Sequence, residues 1–392
     1  MSVGIEAISF YSPHYYIDLK TLANARNVEV EKYYHGIGQE KMAVPPPDED
    51  VVTMGANAAQ RLLALIDAKE IDTLLFATES GIDQSKAAGI YIHHLLGLPK
   101  NSRVVELKQA CYSCTAGLQM AAALVGKSPE RKKKILLVAA DIARYGLGTP
   151  GEATQGAGAI AMIVSFEPKL LALDPEAGFY TEDVMDFWRP NYLDTALVDG
   201  KYSVKIYLKA LIEAWSQYQA QSGRGFADFT RFCYHLPFTR MAEKAHQHLA
   251  KHCGNQEITG EAMHCHIGDS LLYNRITGNS YAASLYVGLT SLLDTSQGDL
   301  AGQRIGMFSY GSGCVGEFFS GVVSANYQRN LFAKDHQAML ENRIALTYKE
   351  YETFYNWPVP TDGSDCSFPK HETGQFRLAG LSKHKRIYER IG

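Results

Sequence analysis

Residues 106–126 read ELKQACYSCTAGLQMAAALVG, and this stretch passes from a strand through a short polar turn into a helix. Arg103–Leu107 has the strand-like pattern that feeds the turn. Residues 115–125 (TAGLQMAAALV) are too long and too rich in Ala and Leu for a strand, and spell a helix that is apolar on most sides. A helix without a polar face belongs in the middle of a core. Working outward, residues 71–77 (IDTLLFA) and 135–140 (ILLVAA) are short, nearly all-apolar runs, as expected of strands buried on both faces. Farther along, residues 283–293 form a second helix rich in small and apolar residues, and residues 304–308 a strand that runs into a Gly-rich turn. Strands alternating with helices predict an α/β protein, and two buried helices point to two related halves, although no repeat period is visible.

A chain of 392 residues exceeds a typical single core, so two domains or one two-lobed unit are expected. With 46% hydrophobic residues it is too apolar for disorder, and its 38 Lys and Arg against 42 Asp and Glu argue against a nucleic-acid partner held by phosphate neutralisation. The N-terminus carries neither a basic leader nor an unbroken apolar core, and no run of 18 apolar residues suggests a membrane span. Seven Cys is an odd, dilute set, which predicts reduced thiols and a cytoplasmic protein. Linker-like breaks fall at residues 45–50 (PPPDED) and 223–226 (GRGF). Beyond residue 327 the chain is more polar and Tyr-rich, with helical spacing over 335–355 and a last strand pair over 376–388.

Chemistry concentrates around Cys111, in the turn ahead of the buried helix, where backbone N–H groups and the helix dipole favour an anion. A thiolate there has a lowered pKa and acts as a nucleophile. Cys114 competes for that role, with packing as its alternative, and the C-x-x-C pair lacks the second pair that a zinc site requires. A base is offered by Glu79, at the end of an apolar strand, or by nearby Asp83; a capping or exposed loop carboxylate is the plainer account of Glu79. His235 follows another short apolar piece, with Pro237 shaping the turn into a helix, and suits acid–base work or donation to a carbonyl. Arg240 and Lys244 share a helix face suited to phosphates, or simply to water. His264, Cys265 and His266 look metal-like, but on a strand only the two His side chains point the same way, so no metal site is expected. The turns TQGAG (154–158) and SYGSG (309–313) match no nucleotide-binding fingerprint; the second follows a strand and suits an oxyanion-binding N–H.

Together and in this order, GIGQEKM (36–42), ATESGIDQSKAAG (77–89), KQACYSCTAG (108–117), DFWRP (186–190), YHLPFTRMAEKA (234–245), GNSYAASLY (278–286) and FSYGSGCVGEFFSG (308–321) resemble the 3-hydroxy-3-methylglutaryl-CoA (HMG-CoA) synthase family of the thiolase superfamily. The resemblance covers nearly the whole chain. It implies a duplicated αβαβα five-layer sandwich, with an N-terminal half over 1–167 and a C-terminal half over 168–392, and a homodimer. It also implies that Cys111 accepts acetyl from acetyl-CoA, that Glu79 removes a methyl proton from it, and that the carbanion attacks acetoacetyl-CoA held by His235 and Asn279. Arg240 and Lys244 would meet CoA phosphates, while Tyr145, Phe187, Ser309 and Ser312 would contact substrate. No cofactor or metal beyond the CoA thioesters is implied. Ala282 stands where the family often has Thr, and Ser113 and Cys114 replace smaller residues. The stretches around KQACYS and 186–203 also resemble the branch that acts on acyl-carrier-protein substrates in polyketide β-branching, whereas GIGQEKM, residues 48–59 and the Arg240/Lys244 pair favour the CoA user of the mevalonate pathway. A thiolase-like scaffold that binds acyl groups without turnover is the remaining alternative.

Overall fold

The computed structural model describes residues 2–127 and 133–391. Nine strands form the main sheet: β1 (Val3–Tyr11), β2 (Ile71–Ala77), β3 (Arg103–Leu107), β4 (Lys134–Ala143), β5 (Gly156–Phe166), β6 (Leu171–Thr181), β7 (Arg231–Tyr234), β8 (Arg304–Gly311) and β9 (Val315–Val323). Their order is β7-β8-β9-β6-β1-β5-β4-β2-β3. The two ends of this sheet repeat one another. Moving outward from the centre, β1, β5, β4 and β2 pair antiparallel, antiparallel and parallel, and β6, β9, β8 and β7 do the same. Only Gly4 and Ile5 of β1 pair with β6, at Ala172 and Leu171, so the halves touch at a narrow seam.

Six helices complete the layers: α1 (Val51–Leu62), α2 (Ala88–Leu95), α3 (Ser113–Gly126), α4 (Gly200–Ser222), α5 (Arg240–His252) and α6 (Ser284–Thr295). Helix α1 packs on β1, β4 and β5, and α4 packs on β6 and β9, each on the outer side of its own half. Gly178 lets α4 lie that close, because a Cβ there would sit 1.9 Å from the Ala214 carbonyl oxygen. Helices α3 and α6 fill the space between the halves: α6 touches β1 and β5 as well as β7 and β8, while Gln119 of α3 donates to Glu317 of β9 at 2.6 Å. This is the thiolase-like five-layer arrangement. The sequence expectation for two core helices holds fully for α6, whose residues from Ser284 to Leu293 are all buried. It holds only in part for α3, where Met120 and Leu124 are 50% and 40% exposed on the side away from the core.

The break expected at residues 45–50 is instead a tight structural knot. Asp48, Glu49 and Asp50 are all buried, and each grips a different part of the molecule. Asp50 caps α1 by accepting from the N–H groups of Val52 and Thr53, and its second oxygen accepts from Tyr388 and Arg386. Asp48 accepts from Arg377 at 2.9 Å and pairs with His371 at 2.9 Å, and Glu49 accepts from Tyr11 at 2.6 Å. The Pro residues ahead of them stiffen this turn, so the acidic run is turned inward and is no solvated linker. The C-terminal hairpin (Phe376–Ser382 with Lys385–Arg390) is thereby fastened to the N-terminal half. The helical spacing expected over 335–355 resolves into two helices, Ala333–Glu341 and Tyr348–Tyr355. Replacing Arg377 by Met leaves Asp48, 0% exposed, without its guanidinium partner. The expected cost is about 3–5 kcal/mol, read as a lower denaturation midpoint in urea.

Candidate active site

The site forms where strand ends from both halves meet. Glu79 lies two residues beyond β2, and Cys111 four residues beyond β3, in the turn before α3. Ala110 adopts a left-handed φ of 44°, a costly conformation for a residue with a side chain, retained where it aims the next residue. The Cys111 Sγ–H donates to Glu79 Oε1 at 3.1 Å. The second half clamps this turn. Tyr112 donates to Glu317 Oε2 at 2.6 Å, and Gln109 Nε2 donates to the carbonyl of Ser312 at 3.2 Å. Gly311 is required for the approach, since a Cβ there would lie 2.5 Å from the Gln109 carbonyl oxygen and 2.7 Å from Tyr112.

Beside the thiol opens a cavity of about 630 Å³ lined by Cys111, His235, Asn279, Tyr145, Phe187 and Ser312, among others. His235 follows β7, its N–H bonded to the carbonyl of Phe308 and its own carbonyl accepting from Tyr207 at 2.8 Å. Burial lowers its pKa to about 3, which keeps the ring neutral, and Nδ1 has no partner among the described residues. Asn279 uses Oδ1 to accept from the N–H of Tyr281, leaving its Nδ2 for the cavity. Phe187 meets Tyr145 and Tyr281 edge to face, with ring centroids 6.1 and 5.7 Å apart. These rings make an apolar wall around the polar groups.

Several expectations need correction. The Cys111 thiol is not acidified: burial, then the charge of Glu79, push its pKa well up, outweighing a helix whose first residue is two positions farther on. A nucleophile at this position would start as a neutral thiol, with the Glu79 carboxylate beside it as proton acceptor. Cys114 is fully buried in the main core, and Asp83 is spent on the N–H groups of Ser85 and Lys86 at the surface, so neither takes part in the Cys111–Glu79 contact. Ser309 lies inside β8 opposite Glu317. Side chains alternate along a strand, so it faces away from Tyr310 and Ser312, which line the cavity. Arg240 is drawn along its helix to Glu243 and lines a separate cleft with Lys41 and Arg275. Lys244 stays nearer, with Nζ 5.4 Å above the ring of Phe238, a lining residue of the cavity. His264, Cys265 and His266 sit on the short helix Gly260–Ile267, where His266 pairs with His246 at 2.8 Å. Among the described residues no cluster of three or more His, Cys, Asp or Glu side chains is arranged to hold a metal.

Sequence reasoning overlooked Asp141, although a lone acid closing the apolar run ILLVAAD was a signal. It is fully buried. Oδ1 accepts from Thr78 Oγ1 at 2.7 Å and from the N–H groups of Glu79 and Ser80, both at 2.9 Å, while Oδ2 accepts from the N–H of Ala282 at 2.9 Å. One carboxylate thus joins the Glu79 loop of the first half to the Asn279 loop of the second. Burial and the nearby charge of Asp141 together raise the pKa of Glu79 above the usual carboxylate range. Asp186, at the head of DFWRP, plays a similar part by accepting from Tyr310 at 2.7 Å and from the N–H of Gly313 at 2.9 Å.

Comparison with known proteins agrees with this geometry. The profile described as hydroxymethylglutaryl-coenzyme A synthase N terminal matches residues 1–169, and the corresponding C terminal profile matches 171–252 and 247–357. The hydroxymethylglutaryl-CoA synthase of Enterococcus faecalis is 45% identical over 362 residues, covering 92% of this chain and 94% of the relative. The polyketide biosynthesis 3-hydroxy-3-methylglutaryl-ACP synthase PksG of Bacillus subtilis (strain 168) is 35% identical over 373 residues, covering 91% and 88%. A crystal structure of an HMG-CoA synthase complexed with CoA superposes with a TM-score of 0.94 at 39% identity, covering 100% of both chains. With both profiles in order along one sheet and 45% identity over nearly its whole length, the chain belongs to the hydroxymethylglutaryl-CoA synthase family.

Proposed function

We propose that this protein condenses acetyl-CoA with acetoacetyl-CoA and water to give HMG-CoA and CoA, the step that commits acetyl units to the mevalonate pathway. The observation that carries this is the Cys111–Glu79 contact of 3.1 Å at the wall of a cavity that also holds neutral His235 and Asn279. Cys111 Sγ attacks the acetyl thioester as its proton passes to Glu79, and CoA leaves as the thiol, taking a proton. Glu79, again a carboxylate, removes a proton from the methyl group of acetyl-Cys111. The new carbanion adds to the C3 carbonyl of acetoacetyl-CoA, and that oxygen, held by His235 and Asn279, becomes the hydroxyl by taking the proton that Glu79 removed, which returns Glu79 to its carboxylate. Water then cleaves the Cys thioester. The thioesters supply all the activation, so no prosthetic group enters the scheme.

Lys244, beside the cavity wall, is assigned to the CoA phosphates, and Tyr145, Phe187 and Ser312 to the acyl chains. An acyl-carrier protein as carrier of the donor or the acceptor is a second reading, favoured by the exposed apolar side chains Leu197 and Val198 at the cavity wall and by exposed Met185 and Tyr192 on the same segment. A non-catalytic scaffold has no use for a thiol hydrogen-bonded to a carboxylate. Among the described residues no helix is long and apolar enough to cross a membrane, and seven free cysteines suit the reducing cytoplasm. Strand β3 ends the sheet with Val105 40% exposed. An open edge of this kind calls for a cover, and we assign it, with Met120 and Leu124, to a homodimer interface.

Labelled acetyl-CoA should leave its acetyl group on Cys111 when peptides are mapped by mass spectrometry; label on Cys114, or none, sinks the mechanism. Glu79→Gln, which removes the acceptor of the Cys111 proton as well as the base, should slow acetylation and lose condensation by about 10²–10⁴-fold. Because Glu79 must be ionised and its pKa is raised, kcat should increase with pH through the ionisation of Glu79, with no limb from neutral His235. Asp141→Asn, which turns an acceptor of four donors into an amide, is expected to lower kcat by about 10–100-fold in steady-state assays. Sedimentation should give a dimer that Met120→Glu splits; a monomeric parent protein removes the interface. Comparing acetyl-CoA with acetyl on a carrier protein, and free acetoacetyl-CoA with the same group on a carrier protein, decides between the two readings.

A further inference from the structure

The segment that roofs the cavity is a small hairpin. Phe187–Trp188 pairs antiparallel with Leu197–Val198, and Phe187, Leu197 and Val198 form part of the cavity wall. Its base is fixed to the second half, since Asp186 accepts from Tyr310 and from the N–H of Gly313, and its carbonyl accepts from the N–H of Asp199 at 3.0 Å. Its far end stands in solvent, with Tyr192 85% exposed. Besides the Phe187–Tyr145 ring contact, two hydrogen bonds reach across to the first half. The N–H of Ala196 donates to the carbonyl of Arg144 at 3.2 Å, and the guanidinium of Arg189 donates to the main-chain carbonyl of Glu79.

Arg189 pairs with no carboxylate among the described residues and is directed at the backbone of the one residue whose protonation state the chemistry uses. The ionisable groups around Glu79 are Asp141 on β4, Cys111 in the turn before α3, the hydroxyls of Tyr145 and Tyr281, and Arg189 on the hairpin. Among these, Arg189 alone carries positive charge. Asp141 and burial oppose ionisation of Glu79, and Arg189 favours it.

We propose that Arg189 is a positioning residue that makes seating of the 187–198 hairpin and readiness of Glu79 a single event. When the hairpin closes on an acyl chain in the cavity, its guanidinium fixes the Glu79 loop and brings a cation to the carboxylate. When the hairpin lifts, both are withdrawn. The base is therefore fully armed only in a filled, closed site, which protects the acetyl-Cys intermediate from deprotonation before its partner arrives.

The proposal rests on Glu79 being the base, and the test separates the two claims. Condensation kcat and KM are measured against pH for the parent protein, Glu79→Gln, Arg189→Met, Arg189→Gln and Arg189→Lys, with Cys111 acetylation and melting followed alongside. Removing the cation should move the acidic limb of kcat upward by about one pH unit in both neutral variants. At pH values above the limb KM and Cys111 acetylation should stay within about twofold, and Arg189→Lys should return the limb to its place. Arg189→Gln can still donate to the Glu79 carbonyl, so it gives the answer if Arg189→Met does not fold. A limb that stays put in a folded neutral variant, or an effect confined to KM, overturns the role of Arg189. Sustained condensation by Glu79→Gln instead removes the base itself.

Discussion

A buried carboxylate accepting four hydrogen bonds from two loops is the constraint on which the site depends. Asp141 holds the N–H groups of Glu79 and Ser80 with one oxygen and that of Ala282 with the other. Left unpaired, those donors would each cost about 1–3 kcal/mol in so dry a place. Glu79 and Asn279 come from halves that meet in the sheet at two residue pairs only, so this carboxylate and the Tyr112–Glu317 bond, together with α3 and α6 packed between the halves, set their spacing. The same charge makes Glu79 harder to ionise. Structural rigidity and basicity are thus tuned by one residue.

Local pattern revealed most of the fold. The apolar runs at 71–77 and 135–140 are β2 and the heart of β4, and the Ala-rich stretch after Cys111 is α3. The duplication could not be read locally, because it lies in the order and direction of strand pairing, which side-chain periodicity does not encode. The open face of α3 was hidden for a related reason: an apolar helix surface reads alike whether it meets its own core or stands exposed, as Met120 does.

For the site, Cys111, Glu79, His235 and Asn279 were legible through their motifs, and the geometry gathers them. What misled was the assumption that a thiol near a helix start is acidic. The helix dipole acts over a single turn, whereas the loss of water around Cys111 and the carboxylate 3.1 Å away act on the sulfur itself. Asp141, Glu317 and Arg189 escaped because each acts through partners tens to hundreds of positions away. Ser309 was misplaced by treating SYGSG as a turn throughout, when its first three residues still belong to β8.

The knot formed by Asp48, Glu49 and Asp50 bears on how the chain is made. Asp48 is made well ahead of its partners, since His371 and Arg377 follow 323 and 329 residues later. At about 5–20 residues per second, those partners reach it roughly 15–65 s afterwards. During that interval the first half can pair its strands but cannot bury this turn with its charges matched. The nascent N-terminal half is thus held short of its final form until the 371–377 segment arrives as the latch.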